Sequence, residues 1–209
     1  MNDDDLAEFF ARHLSRLPLM AILRGFDPLR TVELCHRAWD CGIELVEIPV
    51  QSPAALEGLR RSAIAAAARG SLVGAGTVVS AELVRASHAV GASFTVAPGL
   101  DPEVVAACRE VGLPHLPGVA TPSEVHRAMK LGMNWLKAFP AAQLGIGWAD
   151  AIHGPFPGVH LVATGGISAS NAEEHLAAGA AAVSLTSAIS DDDQFVLVLE
   201  LVERLRGKS

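Results

Sequence analysis

The stretch LVGAGTVVSAELVRASHAVGASFTV, residues 72–96, contains the unit from which the fold is built. An apolar run at Leu72–Ala75 precedes a helical pattern at Ala81–Val90, and a second apolar run follows at Phe94–Val96. Ser80 stands directly before the acidic first turn of the helix, where a serine hydroxyl caps free backbone N–H groups. A strand, a helix and another strand in this order predict a parallel sheet with a helical crossover.

The same unit repeats on both sides of this stretch. Nearly continuous apolar character, typical of strands covered on both faces, marks strand candidates at Leu19–Leu23, Leu45–Ile48, Leu72–Ala75, Phe94–Val96, His115–Leu116, Trp135–Lys137, Leu161–Ala163 and Ala182–Leu185. Helical patterns lie at Leu29–Cys41, Ala54–Arg69, Ala81–Val90, Pro102–Val111, Pro122–Leu131 and Asn171–Ala178. Glycines typical of helix ends follow at Gly42, Gly70, Gly91, Gly112, Gly132 and Gly179, and further N-caps are predicted at Asp101 and Thr121.

Eight strands with intervening helices predict a closed (β/α)8 TIM barrel, an α/β fold, formed by residues 1–209 as a single domain. An extra helix at Leu6–Leu14 is expected to cover the bottom of this barrel. The pattern at Ala141–Ile152 is weaker as a helix, because Gly145 and Gly147 interrupt it.

Charge and hydropathy exclude two classes of partner. The formal net charge is -7 and no stripe of Lys and Arg occurs, so we expect no nucleic-acid partner. Apolar runs are broken well before the ~20 residues that a bilayer requires, so we expect no membrane partner. The segment Met1–Asp5 is acidic, unlike a secretory signal, and we therefore expect the protein in the cytoplasm.

The cysteines and histidines do not have the spacing of a metal site. Cys35, Cys41 and Cys108 are predicted to be buried, reduced thiols. No HxH or HExxH spacing occurs among the eight histidines. Those on predicted helices are expected at the surface: His36, His88, His126 and His175. His115, on a predicted strand, is expected to be a core histidine with its hydrogen bonds satisfied.

Barrel enzymes place their chemistry at the carboxyl ends of the strands. The predicted register puts six candidate residues near those ends: Arg24, Glu47, Thr77, Pro98, Lys137 and Thr164.

Lys137 lies between the apolar residues Trp135-Leu136 and Phe139-Pro140. Such surroundings disfavour the charged ammonium, and a neutral amine can attack a ketone to form an imine. A lysine that snorkels from a strand end, or one that forms a salt bridge with a barrel carboxylate, explains the position equally well.

Glu47 ends an apolar strand, and buried carboxylates are rare unless they are paired or functional. It is a candidate for the proton transfers that imine chemistry needs. A structural ion pair with Arg24 or Lys137 is the alternative.

Gly165-Gly166 follows the seventh predicted strand, where barrels often bind phosphate through backbone N–H groups, although a plain turn explains the two glycines as well.

Seven motifs in order connect these candidates to a known family. The motifs are L-P-L-M-A-I-L-R-G, V-E-I-P-V-Q-S-P, V-G-A-G-T-V, A-P-G-L, L-P-G-V-A-T-P-S-E, L-K-A-F-P and A-T-G-G-I-S, between residues 17 and 168. Together they resemble the 2-keto-3-deoxy-6-phosphogluconate / 4-hydroxy-2-oxoglutarate aldolase family. The sequences A-I-L-R-G and V-E-I-P are most similar to the corresponding motifs of its 2-keto-3-deoxy-6-phosphogalactonate branch.

The resemblance implies a class I aldolase, a homotrimer of (β/α)8 barrels that needs neither metal nor another cofactor. Its small-molecule substrate is a 2-keto acid that is split into pyruvate and an aldehyde, typically glyceraldehyde 3-phosphate. By resemblance, Lys137 is the Schiff-base lysine and Glu47 the general acid/base. The remaining matches concern binding: Thr77 and Pro98 line the pyruvate pocket, Gly165, Gly166 and Ser187 belong to the phosphate site, and Arg24 assists anion binding.

Several positions depart from the family pattern. Gln51 stands where the gluconate branch has arginine and the galactonate branch asparagine, so an anion contact is expected to change. Thr164 follows the gluconate branch, since the galactonate branch has valine there. Ser184 and Thr186 replace the glycines of a G-x-G-S motif that ends at Ser187, and glycine lets a backbone approach phosphate closely.

Two alternatives therefore remain open from the sequence. One is a pyruvate-dependent aldolase for a non-phosphorylated 2-keto acid such as 4-hydroxy-2-oxoglutarate, prompted by Ser184 and Thr186. The other is a barrel that binds a small anion without catalysis, against which the presence of both Lys137 and Glu47 argues. The sugar configuration does not follow from the sequence.

Overall fold

The structure, a computed structural model, describes residues 3–207. Its parallel sheet consists of β1 Leu19–Ile22, β2 Leu45–Pro49, β3 Leu72–Gly76, β4 Thr95–Val96, β5 His115–Leu116, β6 Gly118–Val119, β7 Trp135–Ala138, β8 His160–Thr164 and β9 Ala182–Leu185. The strand order is β5-β4-β3-β2-β1-β9-β8-β7-β6. The two ends of this order are joined through a single residue, Pro117, so the sheet curls round into a barrel with helices outside. The predicted α/β barrel is confirmed.

Pro117 divides one barrel strand into two short halves. Its nitrogen has no hydrogen to donate to a ladder, while its carbonyl accepts a 2.8 Å hydrogen bond from the backbone N–H of Lys137. The first half, β5, pairs with β4, and the second half, β6, pairs with β7. The sequence predicted His115–Leu116 but not the continuation at Gly118–Val119.

The helices follow the predicted crossovers closely. They are α1 Asp3–Leu14, α2 Pro28–Asp40, α3 Pro53–Arg69, α4 Ala81–Ala89, α5 Pro102–Glu110, α6 Pro122–Lys130, α7 Ala141–Leu144, α8 Trp148–His153, α9 Ala172–Ala177 and α10 Asp192–Arg206, with a 3₁₀ turn at Ser187–Ile189. Residues 145–147 separate α7 from α8, as the glycines there indicated. Helix α10 was not predicted. None of these helices is long and apolar enough to cross a membrane.

Local signals set the helix boundaries. The Ser80 hydroxyl accepts a hydrogen bond from the backbone N–H of Leu83, and the Asp101 carboxylate accepts one from that of Glu103. Thr121 forms a reciprocal capping box with the third residue of α6. All of the glycines predicted to end helices have a positive φ: Gly42, Gly70, Gly91, Gly112, Gly132 and Gly179.

Helix α1 closes the amino-terminal end of the barrel, as expected. Phe10 is 2 % exposed, and its ring centroid lies 6.0 Å from that of Phe94 and 6.2 Å from that of Trp135. The buried apolar residues of this end form one cluster, the apolar floor: Phe9, Phe10, Leu14, Met20, Leu45, Phe94, Val96, Leu116, Trp135, Val162 and Ala182. The floor prevents the barrel from being an open pore.

One histidine prediction is wrong and one is only half right. His175 is buried, not at the surface, because α9 turns the face that also carries Ala172 towards the barrel. His115 is a core residue, and its Nδ1 lies 2.8 Å from the hydroxyl of Thr95. Its Nε2, however, is buried without a partner within the described residues. Burial lowers the pKa of His115 to about 4.

The three cysteines are free and buried, as predicted. Burial raises the pKa of Cys35 to about 12 and that of Cys108 to about 11, so both thiols stay protonated and unreactive at neutral pH.

Candidate active site

The barrel interior carries one polar layer directly above the apolar floor. Side chains two residues apart on a strand face the same way, and on four strands a floor residue is followed at this spacing by a polar one: Leu45 by Glu47, Trp135 by Lys137, Val162 by Thr164 and Ala182 by Ser184. All four polar residues are less than 5 % exposed. The fold therefore concentrates an amine, a carboxylate and two hydroxyls in the centre of the barrel.

Lys137 and Glu47 face each other across this layer. Nζ of Lys137 lies 3.7 Å from Oε2 of Glu47, which is an ion-pair distance but too long for a good hydrogen bond. The second carboxylate oxygen, Oε1, is buried with no hydrogen-bond partner in the described part of the chain. Buried charges that are only partly satisfied are costly, so they point to a function that uses them.

Two neighbours shape the space around this pair. Gly76, at the end of β3, lies directly against the Glu47 side chain, and a Cβ there would collide with the carboxylate. The ring of Phe139 lies 5.3 Å from Nζ of Lys137 and supplies an apolar, weakly cation-binding face. The amine thus has the Glu47 carboxylate and the Phe139 ring among its neighbours.

Thr77 and Pro98 follow β3 and β4 at the carboxyl end of the barrel, where the sequence predicted them. Thr77 has a φ of +58°, the one positive value for a non-glycine residue between residues 3 and 207. Such conformations are strained in a branched residue and cluster at functional sites. The Pro98 carbonyl packs against Gly118 so closely that a side chain at 118 has no room.

Arg24 and Gln51 lie at the mouth of the barrel, after β1 and β2. Nη1 of Arg24 donates a 3.1 Å hydrogen bond to Oε1 of Gln51. Both side chains are exposed, and the guanidinium has no carboxylate partner in the described residues. The structure does not pair Arg24 with Glu47, so that alternative for Glu47 is wrong, while the ion pair with Lys137 is present.

The loops after β8 and β9 carry the remaining candidates. Gly165 and Gly166 have φ values of +93° and +77°. A side chain at Gly165 would press on the Phe139 ring at 3.2 Å, and one at Gly166 would collide with Ala142. Ser187 is exposed and begins the 3₁₀ turn Ser187–Ile189. Packing against Phe139 and Ala142 therefore requires glycine at positions 165 and 166.

Ser184 belongs to the polar layer, although it was noted from the sequence only as a departure from a glycine motif. The hydroxyl of Thr164 donates a 3.1 Å hydrogen bond to Oγ of Ser184. The signal that finds Ser184 is its spacing of two residues from Ala182, which places it on the interior face. Thr186 follows outside the strand and is half-buried.

A second concave region of the described residues lies away from this layer. A cavity of about 690 Å³ lies at the opposite end of the barrel, where Arg16, Trp39 and Arg206 contribute to its lining. Barrel chemistry occurs at the carboxyl ends of the strands, so we assign the site from the polar layer. Within residues 3–207, no group of three or more His, Cys, Asp or Glu side chains is arranged to hold a metal ion.

A family model and curated relatives indicate one family. The family model "Aldolase: KDPG and KHG aldolase" matches residues 11–196. A probable 2-dehydro-3-deoxy-6-phosphogalactonate aldolase of Rhizobium meliloti is 34 % identical over 82 % of this chain and 81 % of its own. A 2-dehydro-3-deoxy-phosphogluconate aldolase of Treponema pallidum is 38 % identical over 77 % of this chain and 75 % of its own.

A solved structure matches in three dimensions as well. The KDPG aldolase of Legionella pneumophila, with pyruvate captured at low pH as a covalent carbinolamine intermediate, superposes with a TM-score of 0.80. Its sequence is 30 % identical, and the match covers 92 % of this chain and 95 % of that one.

Proposed function

We propose that this chain, which belongs to the KDPG and KHG aldolase family, is a class I aldolase with Lys137 as its Schiff-base residue. Its substrate is a 2-keto-3-deoxy-6-phospho sugar acid, cleaved to pyruvate and glyceraldehyde 3-phosphate. The observation that carries the proposal is the buried pair of Lys137 and Glu47, 3.7 Å apart above the apolar floor. Relatives of both the phosphogalactonate and the phosphogluconate type support the substrate class.

The first steps form the imine. Lys137 first passes a proton to Glu47, and its neutral amine then attacks the C2 ketone and gives a carbinolamine. Glu47, directly or through one water, donates the proton with which the carbinolamine hydroxyl leaves. Oε1 of Glu47 is buried without a partner in the described residues and is therefore available for this exchange. The carbinolamine with pyruvate in the Legionella relative supports this route.

The next steps break the carbon–carbon bond. The protonated imine accepts the electron pair of the C3–C4 bond, while Glu47 takes the proton of the C4 hydroxyl. The aldehyde leaves, and the remaining enamine is protonated at C3. Water then hydrolyses the imine, which releases pyruvate and restores the Lys137 amine. No metal and no other cofactor enters these steps.

The binding residues are assigned by position in the barrel. Thr77 and Pro98, after β3 and β4, line the pyruvate pocket. Arg24, held by Gln51 at the mouth, attracts the anionic substrate. The loops after β8 and β9 bind the phosphate, through Gly165, Gly166 and Ser187, and Thr164 lies below them in the polar layer.

The second candidate is cleavage of a non-phosphorylated 2-keto acid such as 4-hydroxy-2-oxoglutarate. Thr186 favours it, because its branched side chain stands beside the proposed phosphate loop. Measuring kcat/KM with phosphorylated and dephosphorylated forms of one sugar acid separates the two. We expect the phosphorylated form to be cleaved faster, and Lys137→Ala to abolish cleavage of both. A faster reaction with the dephosphorylated form would select the second candidate.

Assembly and location complete the proposal. We place the protein in the cytoplasm as a homotrimer of single-domain barrels, without nucleic-acid or membrane partners. Large apolar side chains exposed on the single chain support an oligomer, among them Leu29 (65 %), Ile64 (61 %) and Val79 (54 %). Light scattering coupled to size exclusion should give three times the mass of one chain; a monomer would contradict the trimer.

A further inference from the structure

Ser184 has a hydrogen-bonding capacity that the protein itself does not use. It is 1 % exposed and lies opposite Thr164 in the register of β8 and β9. The Thr164 hydroxyl lies 3.1 Å from Oγ of Ser184 and 3.4 Å from the carbonyl of Val162, so the bond to Ser184 is the shorter one. Oγ of Ser184 thus accepts a bond, and its own proton has no acceptor in the described residues.

This free donor faces the barrel interior. Ala182, two residues earlier on β9, belongs to the apolar floor, so the Ser184 side chain points into the same interior one layer higher. A buried hydroxyl proton without an acceptor is unfavourable, and a bound ligand at the site is one way in which such a group is satisfied. The motif of the family would have placed glycine here, which carries no hydroxyl at all.

The position of Ser184 in the barrel indicates which substrate group it contacts. On β8 and β9 the polar layer lies below the loops with Gly165, Gly166 and Ser187, and Lys137 lies on the neighbouring strand β7. In the proposed complex the C2 carbon is bonded to Lys137 and the phosphate lies at those loops. The carbons between them, which leave as the aldehyde, therefore lie beside Thr164 and Ser184. Glu47 lies on β2, separated from β9 by β1, and takes the proton of the C4 hydroxyl. The next hydroxyl of the substrate, on C5, is therefore the one closest to Ser184.

We propose that Ser184 is a specificity residue whose hydroxyl, oriented by Thr164, donates a hydrogen bond to the substrate hydroxyl next to the carbon that becomes the aldehyde. The proposal rests on the proposed aldolase function and refines its substrate class. It requires acceptor aldehydes with a hydroxyl group beside the carbonyl to be favoured over otherwise equal aldehydes without it.

The test runs the reaction in the direction of aldol addition. Pyruvate is combined with glyceraldehyde 3-phosphate or with its 2-deoxy analogue, which lacks only that hydroxyl. We expect Ser184→Ala to lower kcat/KM for glyceraldehyde 3-phosphate by about tenfold, the size of one hydrogen bond, and to leave the analogue unchanged. The control is Ser87→Ala, since Ser87 is also fully buried and its hydroxyl has no partner in the described residues, but it lies on α4 outside the barrel interior.

Pyruvate trapping by borohydride on each variant separates this proposal from the proposed function. Trapping on wild-type protein together with a loss confined to glyceraldehyde 3-phosphate supports the role of Ser184. An equal fall for both aldehydes, or no fall for either, would overturn it while leaving the aldolase function intact. Failure of wild-type protein to trap pyruvate would overturn both.

Discussion

At the scale of single residues, Glu47 is the group whose placement demands most from its surroundings. Its carboxylate is 1 % exposed, one oxygen faces Lys137, and the other has no partner in the described residues. A glycine at position 76 is needed merely to accommodate it. A protein gains little stability from such an arrangement, because desolvation offsets much of the ionic attraction. The proton transfers that we propose for Glu47 would give the carboxylate a reason to lie there.

Replacing Glu47 by Gln keeps the shape and removes the ionisable group. We expect kcat to fall by about 10²- to 10⁴-fold, the usual contribution of a positioned acid/base, and imine formation with pyruvate to slow. Steady-state cleavage and the rate of borohydride trapping measure the two effects. Glu82→Gln, at an exposed position of α4, should behave as wild type. A Glu47→Gln variant with wild-type rates would remove Glu47 from the mechanism.

Residue-scale prediction from the sequence succeeded where a residue type is unusual for its position. A lysine and a glutamate within apolar strands are conspicuous, and both lie in the polar layer. Ser184 is less conspicuous because it carries no charge, and its spacing of two residues from Ala182 indicates an inward side chain only once Ala182 is known to face the interior. His175 was misplaced because one histidine on a short helix does not indicate which face is buried.

At the scale of secondary-structure elements, α1 has a role that the eight repeating units cannot fill. It places Phe9, Phe10 and Leu14 against the lower ends of the strands and so completes the apolar floor. The polar layer rests on this floor, which keeps water from reaching Lys137 and Glu47 from below.

Phe10→Ala tests the contribution of α1. Removing a fully buried aromatic side chain should lower the free energy of unfolding by about 3–5 kcal/mol. Equilibrium unfolding in guanidinium chloride gives the value. Arg85→Ala, at an exposed position of α4, should change the free energy of unfolding by less than about 0.5 kcal/mol. Equal stabilities for the two variants would show that α1 is not part of the core.

Element boundaries were predictable wherever a local signal marks them. The N-caps at Ser80, Asp101 and Thr121 and the glycines that end helices are short-range features, and all of them are confirmed. The division of a strand at Pro117 and the helix α10 depend on neighbours in space. In α10 the run Phe195–Leu199 is nearly continuous in apolar residues, which obscures the helical period.

At the scale of the whole molecule, His115 links stability to pH. It is neutral when buried, with a pKa of about 4, whereas in the unfolded chain its pKa is about 6.5. Between these values the unfolded chain binds the extra proton. Stability is therefore fully present above about pH 6.5 and is lost as the pH falls towards 4, by on the order of 3 kcal/mol from this residue.

Unfolding free energies measured between pH 7 and pH 4.5 test this linkage. We expect the free energy of unfolding of His115→Gln to fall less over this range than that of wild type, since glutamine does not titrate. His88→Gln, at an exposed position of α4, should keep the wild-type slope. If the His115 variant and wild type lost the same free energy over this range, the buried neutral histidine would not be the cause.

The fold as a whole was predictable because one unit, seen in residues 72–96, repeats along the chain and closes only as a barrel. The candidate site was predictable in part, because barrel chemistry concentrates at strand ends. The hydrogen bonds that join Thr164 to Ser184 and Arg24 to Gln51 were not predictable, since they connect strands through distances that a sequence does not contain.

The central claim is that Lys137 forms an imine with a 2-keto acid, and reduction with borohydride in the presence of pyruvate tests it most directly. Peptide mass spectrometry should find the reduced pyruvate adduct on Lys137, while Lys130, at an exposed position of α6, stays unmodified in the same sample. An adduct that is absent from folded protein, or equally abundant on both lysines, would contradict the account.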